Sequence, residues 1–214
     1  MARQCASGFG APGDPAAAAR DAELAHALTW LTEAGIFTQA VQMGEMVPDF
    51  TVPDCHGGTI ELQGLLDRGP LVLLFALSLD IADACRALTQ LQEALPAIEA
   101  TGAHLAVLSA ALPAAARATS EALHIAFPIG HDAGNHVAQL FGLTYQPPEP
   151  SDRWCLRLGL PPAALPPDHL FVLPATYVID SDGVAEYAVL EADLRHRVRI
   201  ADLLRALSPL SSRR

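Results

Sequence analysis

The run Leu71-Val-Leu-Leu-Phe-Ala76 passes almost directly into an amphipathic helix, and no other segment restricts the fold as strongly. So short and continuous an apolar run fits a strand covered on both faces, as in the middle of an α/β sheet. Beyond it, Ala84, Leu88, Leu91, Leu95 and Ile98 recur at spacings of three and four. That is one apolar stripe of a helix over about 81–100. Pro96 is expected to kink this helix and Gly102 to close it.

The same pattern repeats downstream. His104-Leu-Ala-Val-Leu-Ser109 reads as a strand, and Pro113 suits the first position of a helix reaching about 123. Ala126-Phe-Pro-Ile129 reads as a short edge strand, and Asp132 to Phe141 as one helix. Leu143 to Asp168 is Pro-rich and long for a loop, so it is expected to be an insertion with one short helix around Trp154. Two hairpins flank these units. Asp49–Pro53 and Thr59–Leu62 embrace Cys55-His-Gly-Gly58, and Ala175–Asp180 and Val184–Leu190 embrace Ser181-Asp-Gly183. Leu24, Leu28 and Leu31 give a first helix over Asp21–Ala34. Ile200, Leu203, Leu204 and Leu207 give a last one. Strands alternating with helices, then a late hairpin, predict an α/β fold with a mixed central sheet flanked by helices. The expected organisation is a disordered tail over 1–19, a helical extension over 20–43 and the main domain over 44–208.

Charge narrows the partners. The chain has no lysine, and its formal net charge is −11. An acidic surface disfavours phosphate backbones, so nucleic acid is not expected as a partner. No apolar run approaches the roughly 20 residues of a membrane helix, and Met1–Gly13 has no secretory core. A cytoplasmic protein with reduced thiols is the expectation. Cys5, Cys55, Cys85 and Cys155 show no C-x-x-C or metal spacing. His131 and His136 are five apart, which does not align two ligands on a helix face, so cap and surface roles are expected and no metal site. His104 and His124 read as structural. Gly8-Phe-Gly-Ala-Pro-Gly13 matches G-x-G-x-x-G only formally, because no strand precedes it. No cofactor is expected. Arg195-His-Arg-Val-Arg199 reads as a solvated basic face.

Two segments carry a family resemblance. Gly44-Glu-Met-Val-Pro-Asp-Phe-Thr51 resembles the G-x-x-A-P-x-F-x opening of peroxiredoxins of the alkyl hydroperoxide reductase / thiol-specific antioxidant type. Leu173-Pro-Ala-Thr-Tyr-Val-Ile-Asp-Ser-Asp-Gly183 resembles the P-A-T-F-V-I-D-x-D-G segment of a bacterial peroxiredoxin-like branch. The resemblance runs from about Ala22 to Leu207. It implies a thioredoxin-like fold and reduction of hydroperoxides through a cysteine in the first turn of the helix after the central strand. In that branch the junction reads like F-Y-R-G-x-W-C-P-Y-C. Aligned on Phe75 without a gap, the first cysteine falls on Ile81 and the second on Ala84. Ser78 falls where many members keep a Thr. Pro174 stands where many place an Arg.

The family needs a thiolate there because backbone N–H groups and the dipole of a helix N-terminus stabilise the anion. Ile81 has no such chemistry. Cys85, one turn deeper, is the remaining catalytic candidate. Asp80 and Asp83 would disfavour its thiolate and Arg86 would favour it; a small residue at the edge of the core is the other reading of Cys85. A Cys85–Cys155 or Cys85–Cys55 disulfide is left open, with Cys55 otherwise decorating a turn and Cys155 a loop helix. Two functions follow: a redox protein working through Cys85 with a thiol reductant, or a non-catalytic binding module that takes a protein partner or pairs as a homodimer.

Overall fold

The computed structural model describes residues 15–79, 81–158, 160, 169–193 and 198–210. The Gly8–Gly13 motif, Cys5, Asp80, residues 161–168 of the insertion and residues 194–197 of the basic cluster lie outside them.

The central sheet has five strands. They are β3 (Leu71–Phe75), β4 (His104–Ser109), β5 (Ile129–His131), β8 (Ala175–Ile179) and β9 (Ala185–Leu190), in the order β5-β4-β3-β8-β9. β3 pairs parallel with β4, from Leu71↔His104 to Phe75↔Leu108, and antiparallel with β8, from Leu71↔Ile179 to Phe75↔Ala175. Every residue of β3 is buried, as a central strand requires. The hairpin β1 (Thr51–Pro53) and β2 (Thr59–Glu61) forms where the sequence placed it, with Val52 facing Ile60. The β8–β9 turn is set by Asp180, whose Oδ1 accepts the N–H groups of Asp182 and Val184, and by Gly183 at φ +84°.

The two faces of the sheet differ in their cover. One face carries Leu73, Phe75, Tyr177 and Ile179 against Phe50 and Phe141, with ring centroids 4.8 Å apart for Phe75–Phe141 and 5.3 Å for Phe141–Tyr177. The other carries Val72, Leu74 and Val178 against two helices. These are α4 (Ala82–Glu99), through Leu88, Leu91, Leu95 and Ile98, and α8 (Ile200–Leu207), through Leu203 and Leu207. Each such aliphatic side chain contributes about 1.5–3 kcal/mol on burial. The stripe read from the sequence is thus the buried face of α4. The helix runs through Pro96 to Glu99.

A third apolar cluster lies outside the sheet. It joins the N-terminal helices α1 (Pro15–Glu33) and α2 (Ile36–Gln39) to α7 (Ser151–Arg157) and the ribbon β6 (Thr144–Tyr145)–β7 (Phe171–Val172). Trp154 is fully buried, edge-on to Trp30 at 5.2 Å, and its Nε1 donates to the Tyr145 hydroxyl at 3.2 Å. The Arg157 guanidinium bonds both Glu149 and Glu23 and so ties α7 to α1. α2 docks closely enough that a Cβ on Gly142 would lie 2.2 Å from the Gln39 carbonyl oxygen.

Several boundaries depart from expectation. α1 begins at Pro15, so it takes in the Ala-rich residues assigned to the tail; Ala is the best helix former and Pro is tolerated in a first turn. β5 starts at Ile129, three residues later than its predicted start at Ala126, because Pro128 has no N–H to give a ladder and offers only its carbonyl, to Val107 at 3.1 Å. Asp132–Phe141 is not one helix. A 3₁₀ turn (Ala133–Asn135) with Gly134 and Asn135 at positive φ precedes α6 (His136–Leu140). The buried Asp132 carboxylate caps α6 instead, accepting the Val137 and Ala138 N–H groups at 2.8 and 2.9 Å. Among the described residues no helix is long and apolar enough to cross a membrane.

Candidate functional site

The corner between β3 and α4 is built by chain reversal at Ala76–Leu79. Ile81 is the N-cap of α4, with φ −85° and ψ 147°, and supplies no side-chain cap. Its carbonyl accepts the Cys85 N–H at 3.0 Å, which closes the first turn. The other first-turn N–H groups are the positive end of the helix dipole. At that end the Ile81 side chain is 8% exposed and belongs to the third cluster, with Leu31, Trp154 and Leu173.

Beside it, α4 and the sheet enclose a cavity of about 90 Å³. Ser78, Ile81, Ala84 and Pro174, four positions singled out from the sequence, all line it. Its floor is a cross-strand row, Leu74↔Thr176↔Val189, running over β3, β8 and β9. Its roof is Ala84, Ala87 and Leu88 of α4 with Leu203 of α8. Positions 84, 87 and 88 share a helix face. Two of the three are Ala, so the roof stops short of the floor and leaves space. Tyr187 and Arg199 stand at the side, and burial pushes the Tyr187 phenol above its ordinary range. No peptide bond among the described residues is cis, Leu173–Pro174 included.

Cys85 does not line this cavity. It is half-buried, and its sulfur donates to the Leu79 carbonyl at 3.5 Å. A carbonyl acceptor favours the neutral thiol over the thiolate. Arg86, the cation that would favour a thiolate, is 2.9 Å from Asp83.

The other thiols lie far from the corner. Cys55 is 1% exposed and packs in the core beneath the sheet, so it does more than decorate its turn; its carbonyl accepts from both Nε and Nη2 of Arg117, at 2.9 and 2.7 Å. Cys155 is fully buried in α7. Burial pushes both thiols up, with Asp54 adding to the effect at Cys55 and Asp152 at Cys155. All three described cysteines are free, so neither the Cys85–Cys155 nor the Cys85–Cys55 pairing forms. His131 bonds the Ala111 carbonyl through Nδ1 at 2.9 Å, while His136 is exposed at the start of α6. Among the described residues no three His, Cys, Asp or Glu side chains converge on a metal-sized site.

Sequence reasoning missed Thr176, Tyr187, Val189 and Leu203. The hairpin of β8 and β9 was read from the sequence, but which parity faces α4 depends on register, and register on the folded sheet.

The profile of the AhpC/TSA family matches residues 43–188. No curated protein matches the chain in sequence. Solved structures with a similar fold include peroxidoxin BcpB from Mycobacterium tuberculosis, at 23% identity and a TM-score of 0.62, covering 81% of this chain and 99% of that one. The peroxiredoxin-like protein from Aquifex aeolicus is similar at 17% identity and a TM-score of 0.63, over 80% of this chain and 88% of that one. The bacterioferritin comigratory protein of Xanthomonas campestris, described with alkyl peroxide reduction activity, is similar at 15% identity and a TM-score of 0.59, over 76% of this chain and 92% of that one. At such identities the likeness concerns the fold.

Proposed function

Because the chain belongs to the AhpC/TSA family, we propose that it keeps the peroxiredoxin scaffold without the standard peroxidatic step, and that its corner binds instead of turning over peroxide. The observation that carries this reading is Ile81. It stands where the resembling branch keeps its first cysteine, caps α4, and buries a hydrocarbon at the helix end that would otherwise activate a thiolate. Ala84 at the second cysteine position points the same way, while Pro174, where many members place an Arg, matches the resembling branch's own P-A-T segment.

A residual redox role would fall to Cys85 with a thiol reductant. Its partial exposure favours that second reading. Its carbonyl-bonded sulfur and its place outside the cavity weigh against it. The free thiols of Cys55, Cys85 and Cys155 fit a reducing compartment such as the cytoplasm. Under the binding reading a protein partner or a second copy of the chain remains compatible with the fold, and light scattering reads the latter.

The test is consumption of an alkyl hydroperoxide with a thiol reductant by the natural chain and by Cys85→Ser. Both are expected at the uncatalysed rate. Turnover by the natural chain that disappears in Cys85→Ser would overturn the proposal and establish Cys85 as the nucleophile.

A further inference from the structure

The cavity under α4 has a chemistry of its own. Leu74, Val189, Leu88 and Leu203 make its wall hydrocarbon. In the middle of the floor lies the Thr176 side chain, 9% exposed, whose hydroxyl has no hydrogen-bond partner among the described residues. Its oxygen is open to the cavity and not sealed in the sheet, so an occupant can bond it in place of water. The charges at the edge are of both signs, Asp83, Glu191 and Arg199, so neither an anion nor a cation is drawn in. The space, about 90 Å³, is smaller than the roughly 150 Å³ of an engineered apolar cavity that admits benzene.

We propose that this cavity binds a small uncharged organic molecule with one hydrogen-bonding oxygen, a short alcohol or ketone, its oxygen on the Thr176 hydroxyl and its hydrocarbon between Leu74, Leu88 and Leu203. The Thr176 hydroxyl donates to a ketone and either donates to or accepts from an alcohol. The proposal rests on the reading that the corner binds without turnover, and names what it binds. The two roof alanines select for size, since a longer side chain at either would occupy the same space.

The experiment is a titration of the full chain with butan-2-one, followed by amide and methyl chemical shifts. Saturable shifts are expected at Leu74, Thr176, Val189 and Leu203, with an affinity in about the millimolar range for so few atoms. Thr176→Val should weaken binding about fivefold, the net worth of one hydrogen bond, and Thr176→Ser should restore it. Ala87→Leu should abolish binding while the circular dichroism spectrum stays native. Should Ala87→Leu fail to fold, the Thr176 pair decides alone. Absence of saturation in the natural chain, shifts confined to other residues, or equal affinity in Thr176→Val would each overturn the proposal. Peroxide turnover in the separate assay would instead overturn the reading it rests on, and the titration would be unaffected, so the two failures are distinguishable.

Discussion

The two flanks of the first turn of α4 are packed in opposite ways. On one, Ile81 joins a cluster of large rings supplied by α1, α7 and the β6–β7 ribbon, with Trp154 fully buried at its centre. On the other, Ala84 and Ala87 face the row Leu74–Thr176–Val189 across an unfilled space. The same helix end therefore meets a seal on one side and a vacancy on the other. Aromatic side chains bring large buried area and interlock edge-to-face, whereas paired alanines leave what they do not fill.

The largest test of that contrast is Trp154→Ala. Truncating a buried Trp should cost about 3–5 kcal/mol of unfolding free energy, read from chemical denaturation. A loss within the range of a surface substitution would mean that the extension rests loosely on the corner. A smaller effect concerns the thiols. Cys85 should react with iodoacetamide about tenfold or more faster than Cys55 and Cys155, which need local opening to be reached. Site-resolved mass spectrometry gives the order, and early labelling of Cys155 would show that the sealed flank opens.

The smallest effect is the response to alkali. Burial raises the Cys55 and Cys155 thiols above their unfolded value of about 8.5. Below that pH both states hold the protons and the full stability is present. Above it the unfolded chain releases them first, so stability should fall as pH rises toward the folded values. The chain has no lysine to complicate this window. Denaturation midpoints from pH 7 to 10 should decline, and decline less steeply in Cys155→Ala. An equal slope in the two chains would show that Cys155 is not sealed.

Much of this was legible before the fold was known. The apolar run at 71–76, the stripe from Ala84 to Ile98 and both hairpins are local patterns, and each became the element its period implied. The motif segments named the family; Ser78, Ile81 and Ala84 came from the alignment at the strand–helix junction and Pro174 from the later segment, and all four line one cavity. Breaks in pattern were harder. Asp132 capping α6 across a 3₁₀ turn, and Pro128 delaying β5, depend on hydrogen bonds to chain that is distant or irregular.

The sequence by itself determined which residues are chemically able to act: a hydrocarbon at position 81, one thiol a turn further on, and a fold made of alternating strand and helix. Tertiary structure alone decided where those residues face. The parity of β8 and β9 against α4 turned Thr176 and Val189 toward the helix, and the docking of α1 and α7 buried Ile81. Packing also set the Cys85 sulfur on a carbonyl and kept it from the cavity. Side-chain direction in a sheet is fixed by register, and burial by whichever element docks above, and neither is carried in any one segment.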